Sequence, residues 1–492
     1  MVALPRCSKD CRYFCAARRF VCLGLLCVTS GCQSIPFAGV LPDGSCGKCC
    51  HVLARQIVID SCRELAHRPL LGTSELLCEE GGRIGAGIRG EIGKRVCMRR
   101  QIVPQEMTSD GWMLDRAALN RECGAPTDNR LEAAQIQLYT DGTQALLALE
   151  QIIADAVHQI DVLMFVWEDD EVGRTIARWL AAKASPDLRV RVLVDGSGNL
   201  IFGRAGQASA GTVNQTVLAL AQHPYVELVR VRNPFARLDH RKLVVADGHV
   251  AWTGGRNFAD RFFQQHDISF TLQGPLVTQL QRTYDRYWSE QGAETVPHGL
   301  PLLACHVRSE TTQIPEGLNA WASLVVTEPL HHELAKVLYQ AVDRAQHYIL
   351  IENVYLTDSL LLYKLAQARR RGVDVRVVLT LESRERIINC ANRVTANRLL
   401  KAGVRVYLYP GMTHVKAAIV DGDWAYLGTG NFDALSLRRN CEFGLAIGGG
   451  PIIQELEHRL FLSDMPLEWE LKKTLPVSLK DRLYEWVAGL WL

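Results

Sequence analysis

At 492 residues the chain is longer than one ordinary domain, so two or three units with a sizeable core are expected. A formal charge of +2 with 22% charged residues argues against global disorder and against the basic excess of a nucleic-acid binder, although a local basic patch stays compatible with these totals. Cysteine use is lopsided: of 16 cysteines, 13 lie at or before Cys123 and only Cys305, Cys390 and Cys441 follow. The N-terminal region therefore obeys a different rule from the rest.

Residues 1–35 read as a targeting segment. Arg12, Arg18 and Arg19 precede the apolar run Phe20–Val28, which is too short to span a bilayer comfortably. Thr29, Ser30 and Gly31 then lead to Cys32, the pattern of a secretory signal. The same four residues are similar to a bacterial lipobox without its usual leucine, which makes Cys32 the lipidation candidate. The competing reading is an extension with no targeting role.

Residues 36–134 form a cysteine-rich N-terminal extension. Exported, its thiols would form disulfides in a small loop-rich unit. Kept in a reducing compartment, Cys46-x-x-Cys49 offers half a zinc site whose second half is badly spaced. Gly85-x-Gly87-x-x-Gly90 imitates a dinucleotide loop, but no convincing strand precedes it, so it reads as a flexible loop.

From about Gln135 the texture changes to α/β. Ile136–Tyr139 reads as a strand, Thr143–His158 as a helix, Ile160–Trp167 as a buried strand and Val172–Ala184 as a helix. Val190–Val194 is a strand, Thr216–Ala221 helical, and Val226–Val231 and Lys242–Ala246 strands. The order then repeats: helix Leu330–Ala345, strand Tyr348–Glu352, helix Leu360–Arg371, strand Val373–Leu379, helix Asn392–Lys401, strand Val404–Tyr409 and strand His414–Val420. This long internal repeat predicts two lobes, 135–290 and 324–465, each a mixed β-sheet flanked by helices, with residues 291–323 as linker. Residues 466–492 form a C-terminal tail. Its last part, Val477–Leu492, is amphipathic with Trp486 and Trp491, suited to packing on its own domain or to lying at a membrane interface.

Each lobe carries the same line. His240-x-Lys242, four residues, Asp247, six residues, then Gly254-Gly255-Arg256-Asn257 is matched by His414-x-Lys416, Asp421 and Gly428-Thr429-Gly430-Asn431 at identical spacing. A single H-x-K occurs by chance; two in register within a repeat do not. An imidazole can attack phosphorus or shuttle a proton near neutral pH. The lysine two residues on shares the histidine's strand face and can hold a phosphate oxygen. Glycines admit close backbone approach, and Asn257 and Asn431 add amide donors for the substrate. Asp267 and Glu442 follow the histidines at similar distance and suit orientation of the far ring nitrogen, or else are surface acids at strand starts. Asp247 and Asp421 belong to the catalytic lines but precede glycines, as turn-bracing residues do.

These paired lines resemble the phospholipase D superfamily, the "HKD" enzymes, over roughly residues 135–465. Within it they are most similar to bacterial cardiolipin synthases and related phosphatidyltransferases. The residues behind this are Trp167–Gly173, Val190–Asp195, Arg371–Arg376, Ala402–Tyr407, and Asn431-Phe432-Asp433 with Ser436 and Glu442. Gly255 and Thr429 depart from a frequent serine. The resemblance implies metal-free, cofactor-free phosphatidyl transfer through a phosphohistidine. One histidine, taken as His240, is the nucleophile, and the other, His414, is the acid and base. It implies a phospholipid substrate and a membrane surface as partner; the signal-like leader adds the expectation of an exported, membrane-associated protein, and the near-neutral charge that of no nucleic acid. Hydrolysis of phospholipid or nucleic acid, and an inactive binding protein, are the competing readings. The sequence leaves the oligomeric state open.

Overall fold

The computed structural model describes residues 56–64, 131–199, 214–291, 316–329, 331–383, 386–482 and 484. Residues 1–35 with Cys32, the stretch expected to target the chain, the Cys46-x-x-Cys49 and Gly85–Gly90 stretches, Trp486 and Trp491 lie outside the described residues. Cys62, Cys390 and Cys441, which lie inside, are free thiols. The helix over 56–64 packs on the first lobe. There Asp60 pairs with Arg230 at 3.0 Å, and the Ser61 hydroxyl accepts from the Phe235 N–H at 2.8 Å.

The first lobe holds β1 (Glu132–Tyr139), β2 (Gln159–Met164), β3 (Arg189–Asp195), β4 (Val226–Val231), β5 (Lys242–Ala246), β6 (Val250–Gly254) and β7 (Ser269–Gln273). The second holds β8 (Ala320–Glu328), the two-residue β9 (His331–His332), β10 (Tyr348–Asn353), β11 (Asp374–Thr380), β12 (Arg405–Tyr409), β13 (Lys416–Val420), β14 (Trp424–Gly428) and β15 (Glu442–Ile447). Sheet order is β4-β3-β2-β5-β6-β7-β1 in one lobe and β12-β11-β10-β13-β14-β15-β8 in the other. β1 and β8 pair antiparallel, with Ala133 opposite Trp321, and fuse the two into one continuous sheet. The three outer strands of each lobe run parallel and so need helical crossovers. The remaining pairs are antiparallel, and β5–β6 and β13–β14 turn back through short loops.

Burial alternates along the motif strands. On β5, Leu243 and Val245 enter a core shared by both lobes, while Val244 and Ala246 face a core of the first lobe alone. On β13, Val415, Ala417 and Ile419 enter the shared core, and Ala418 and Val420 face the second lobe's own core. Each valine, leucine or isoleucine among them contributes about 1.5–3 kcal/mol of burial. The shared core fixes the two motif strands relative to each other.

Differences from the sequence reading are local. The expected strand Ile160–Trp167 leaves the ladder after Met164, because Val166 donates its N–H to Asn257 at 3.1 Å and Trp167 bridges Phe258. Strands β6 and β14 and the helix Pro275–Glu290 were not foreseen, and β7 and β15 only as strand starts at Asp267 and Glu442. The helix expected from Leu330 begins at Glu333, and that expected from Asn392 begins at Arg386. The early part of the tail lies on its own lobe, where Leu471 and Leu475 pack against the core and Leu475 N–H binds Asn397 at 2.7 Å. Among the described residues no helix is long and apolar enough to cross a membrane.

Candidate active site

The residue before each orienting acid carries a backbone carbonyl that pins the other lobe's histidine. His240 N–H binds Cys441 O at 3.0 Å, and His414 N–H binds His266 O at 2.7 Å. Glu442 follows Cys441 and Asp267 follows His266, so each acid is delivered across the lobe boundary. Glu442 holds His240 Nδ1 at 2.9 and 3.1 Å, and Asp267 holds His414 Nδ1 at 2.7 Å. With Nδ1–H committed to a carboxylate, Nε2 is the nitrogen left for chemistry. The partners are 202 and 147 residues apart in the chain.

Lys242 and Lys416 are fully buried, and each donates to the carbonyl of its own motif histidine. Burial depresses their ammonium groups to about 7 and about 8, against the pull of Glu442 and Asp267. Burial likewise lowers His240, and pushes His414 down to about 3, with Lys416 adding to the effect. Asp267 is held low: burial opposes ionisation, but His414, Lys416 and Arg256 outweigh it. The empty site thus keeps neutral imidazoles, with two buried ammonium groups poised for an anion.

Both histidines line one cavity of about 120 Å³ with Asn257, Asn431, Asp433 and Thr357. Much of the remaining wall is apolar, from Phe165, Leu238, Phe262, Ile388, Met412 and Leu435. Phe165 packs edge-on against His240 at 4.6 Å, and its ring carries Lys242 Nζ at 4.9 Å. Asn257 uses its carbonyl to bind Val166 N–H. In the second lobe Asn353 accepts the corresponding N–H, from Tyr355 at 3.1 Å, and Asn431 Oδ1 has no partner among the described residues.

Asp247 and Asp421 do not line the cavity. Both have positive φ, 52° and 53°, in the turn that ends their motif strand. Asp247 accepts the N–H groups of Val157, His158 and Gln159, each at 2.8 Å. Asp421 accepts those of Gln346 and His347 at 2.8 Å and Tyr348 at 2.7 Å. They hold the entrance of β2 and β10, the strands that flank the motifs.

The frequent serine position differs between lobes. Thr429 donates its hydroxyl to Glu442. Gly255 is filled instead by its neighbour: a Cβ there would meet Asp267 Oδ1 at 2.2 Å. The undersides differ too. Below His240, Arg241 pairs with Asp239 at 2.7 Å and lies over the Tyr287 ring at 4.1 Å. Below His414, His266 contacts Asp464 at 2.7 Å and Glu352 at 3.4 Å. Among the described residues this is the group whose donor atoms could hold a metal, all lying within 4.8 Å of one another. They also satisfy one another as an ion cluster: although burial opposes it, the two carboxylates raise His266 to about 10.

Sequence reading missed Phe165, Phe262, Thr357 and the His266 cluster. Phe262, Thr357, His266 and Asp464 reach the site through connections between strands, where no strand periodicity marks them, whereas Phe165 and Glu352 lie on stretches read as strands, which assign them no role. Asp433 was quoted in the resemblance without a role.

The family model described as cardiolipin synthase, phospholipase D-like domain, matches residues 149–288 and 338–462, over half the chain. Cardiolipin synthase A of Salmonella paratyphi A is 30% identical over 328 residues, 64% of this chain and 65% of that protein. Cardiolipin synthase A of Escherichia fergusonii is 28% identical over 337 residues, with the same coverage of 64% and 65%. The chain therefore spans just under two thirds of the length of these curated relatives. Among solved structures, phosphatidylserine synthase of Haemophilus influenzae aligns with a TM-score of 0.54 at 15% identity, covering 76% of this chain and 96% of that one. That likeness is one of fold.

Proposed function

The chain belongs to the phospholipase D-like domain family of cardiolipin synthases, and from that membership we propose that it is a phosphatidyltransferase making cardiolipin and glycerol from two phosphatidylglycerols. The observation that carries this reading is the crossed pair, His240–Glu442 and His414–Asp267, facing one cavity with two buried lysines.

His240 Nε2 attacks phosphorus, and the bond to the headgroup glycerol breaks. His414 donates the proton that this alkoxide takes up. Burial keeps His414 neutral in the empty site. The diester anion, together with Asp267, lifts it toward the protonated form that an acid requires. A headgroup hydroxyl of the second phosphatidylglycerol then attacks the phosphohistidine. It returns its proton to His414 and frees His240. Lys242, Lys416, Asn257 and Asn431 bind the phosphoryl oxygens, whose charge grows in each transition state. The apolar wall of the cavity supports a lipid donor in place of a nucleic acid.

Export and acylation of Cys32 belong to the same proposal, and incorporation of labelled fatty acid that is lost in Cys32→Ala tests them. For the reaction itself, purified protein in detergent is given phosphate-labelled phosphatidylglycerol with chelator present. Cardiolipin with one free glycerol per turnover is the expected product. Phosphatidic acid alone would make water the acceptor, and cleavage of an oligonucleotide without lipid turnover would overturn the lipid reading.

A further inference from the structure

One corner of the cavity is built differently in the two lobes. In the second lobe, Thr357 and Asp358 both donate backbone N–H to Phe432 O at 3.1 Å, which sets Thr357 beside Asp433. In the first lobe, Glu168 donates to Phe258 O at 2.9 Å in the same arrangement, and Ala259 follows Phe258 as Asp433 follows Phe432. The bridges Trp167–Phe258 and Leu356–Phe432 confirm the equivalence. The first-lobe corner closes on itself, because Glu168 forms an ion pair with Arg261 at 2.9 Å.

The second-lobe corner is open for hydrogen bonding. Leu435 stands where Arg261 stands in the first lobe, so no guanidinium arrives from that position. The nearby Arg438 pairs with Asp358 at 2.6 Å. Thr357 and Asp433 are each 4% exposed and line the cavity with both histidines. Among the described residues the Thr357 hydroxyl has no hydrogen-bond partner. Asp433 accepts Ser436 N–H at 2.8 Å as the cap of the helix Ala434–Arg438, with the Leu435 N–H as a second backbone partner, and lines the cavity. A buried hydroxyl without a partner beside a buried carboxyl forfeits about 1–3 kcal/mol unless a ligand supplies the missing bonds. A neutral hydroxyl fits this pair best, since it can donate to the carboxyl while accepting from the threonine.

We propose that Thr357 and Asp433 form a polyol subsite, which holds a second hydroxyl of a glycerol-type alcohol while another hydroxyl of the same molecule stands at the reacting phosphorus. The subsite rests on the transferase reading and deepens it. It selects a diol-bearing headgroup over water and over monohydric alcohols, and it places that alcohol on the second-lobe side of the cavity. Burial pushes Asp433 up to about 7, so near neutrality the carboxyl both accepts from and donates to hydroxyls.

The test is an equilibrium one, separate from turnover. Binding of glycerol 1-phosphate and of propyl phosphate, which lacks both free hydroxyls, is measured by calorimetry on the full chain and on Thr357→Val and Asp433→Ala. The wild type should favour glycerol phosphate at least tenfold, and each variant should lose most of that preference. Because the preference is a ratio within one protein, changes in phosphate affinity cancel. Propyl phosphate binding by Thr357→Val reports that the site is folded, even if loss of the Asp433 cap harms the other variant. No preference in the wild type, or a preference that survives in Thr357→Val, overturns the subsite. A preference that is present and lost as expected, in a protein that transfers no phosphatidyl group, would keep the subsite and sink the transferase reading.

Discussion

The two lobes share one strand order and one motif line, yet they surround their histidines differently. His240 is held by a glutamate that is itself braced by the Thr429 hydroxyl. His414 is held by an aspartate that has moved into the space left by Gly255 and lies close to the buried Arg256. One corner of the cavity is sealed by Glu168–Arg261; its counterpart presents Thr357 and Asp433. A repeated fold supplies two similar imidazoles cheaply in sequence terms, whereas an acid and a nucleophile must behave differently. The differences around the motifs are where that division of labour is written.

The largest effects should come from the histidines. His240→Asn should lower phosphatidyl transfer by about 10⁴-fold or more, because no covalent intermediate forms. His414→Asn should cost about 10²–10⁴-fold with a lipid alkoxide as leaving group. With a p-nitrophenyl diester, which needs no acid, His414→Asn should still release one equivalent of p-nitrophenol in a burst and then stall. Equal bursts, or none, from both variants would erase the assigned asymmetry.

The crossed acids come next. Glu442→Gln should mimic loss of His240 function and Asp267→Asn loss of His414 function, each by about 10²-fold or more in kcat. The p-nitrophenyl diester should rescue the first step of Asp267→Asn alone. The opposite pattern would mean that each acid serves the histidine of its own lobe.

Smaller changes sharpen the same contrast. Thr429→Val removes a hydroxyl bond to a buried carboxylate, and should cost about tenfold in kcat through the His240 half-reaction. Gly255→Ser must push Asp267 aside and should act on the His414 half-reaction. Product-release and burst rates separate the two.

The lysines give a pH test. Their folded ammonium groups sit at about 7 and about 8, below the ordinary lysine value. In the empty protein they therefore favour stability above about 10.5, and that contribution is lost as pH falls through about 8 and then about 7. Inorganic phosphate reverses this by recharging them. At pH 9 the lysines should take up one to two protons on binding (about one fewer in Lys416→Met), and below about pH 6.5 their share should fall to nearly none, which leaves the proton taken up by His414. Calorimetry in buffers of different ionisation enthalpy measures the uptake. Smallest in activity are Asp247→Ala and Asp421→Ala. Each removes the acceptor of three backbone N–H groups and should lower unfolding free energy by about 1–3 kcal/mol, with kcat of the folded protein changed only a few-fold.

Much of this was legible in the chain because strand periodicity and motif spacing are local. β2, β3, β5 and their counterparts read as buried aliphatic runs, and the two H-x-K lines could be aligned by counting. The crossing of Glu442 to His240 and of Asp267 to His414 was not legible, since it depends on the Asp239–Cys441 and His266–Thr413 bridges that tie the lobes together. Nor was the corner contrast. Glu168 and Thr357 stand at equivalent places, but Glu168 is neutralised by Arg261, a partner 93 residues away in sequence that no local pattern announces. The strands β6 and β14 escaped because each runs straight into the motif's Gly-rich turn, which a local pattern reads as loop.

The central claim is that the crossed pairs make His240 the covalent carrier of the phosphatidyl group. Rapid acid-free quenching of the protein with phosphate-labelled phosphatidylglycerol tests it most directly. Alkali-stable, acid-labile label should appear on the wild type, persist on Asp267→Asn with its resting place at His240, and be absent from His240→Asn. Label found on His414 instead, or cardiolipin formed at the wild-type rate by His240→Asn, would contradict the account.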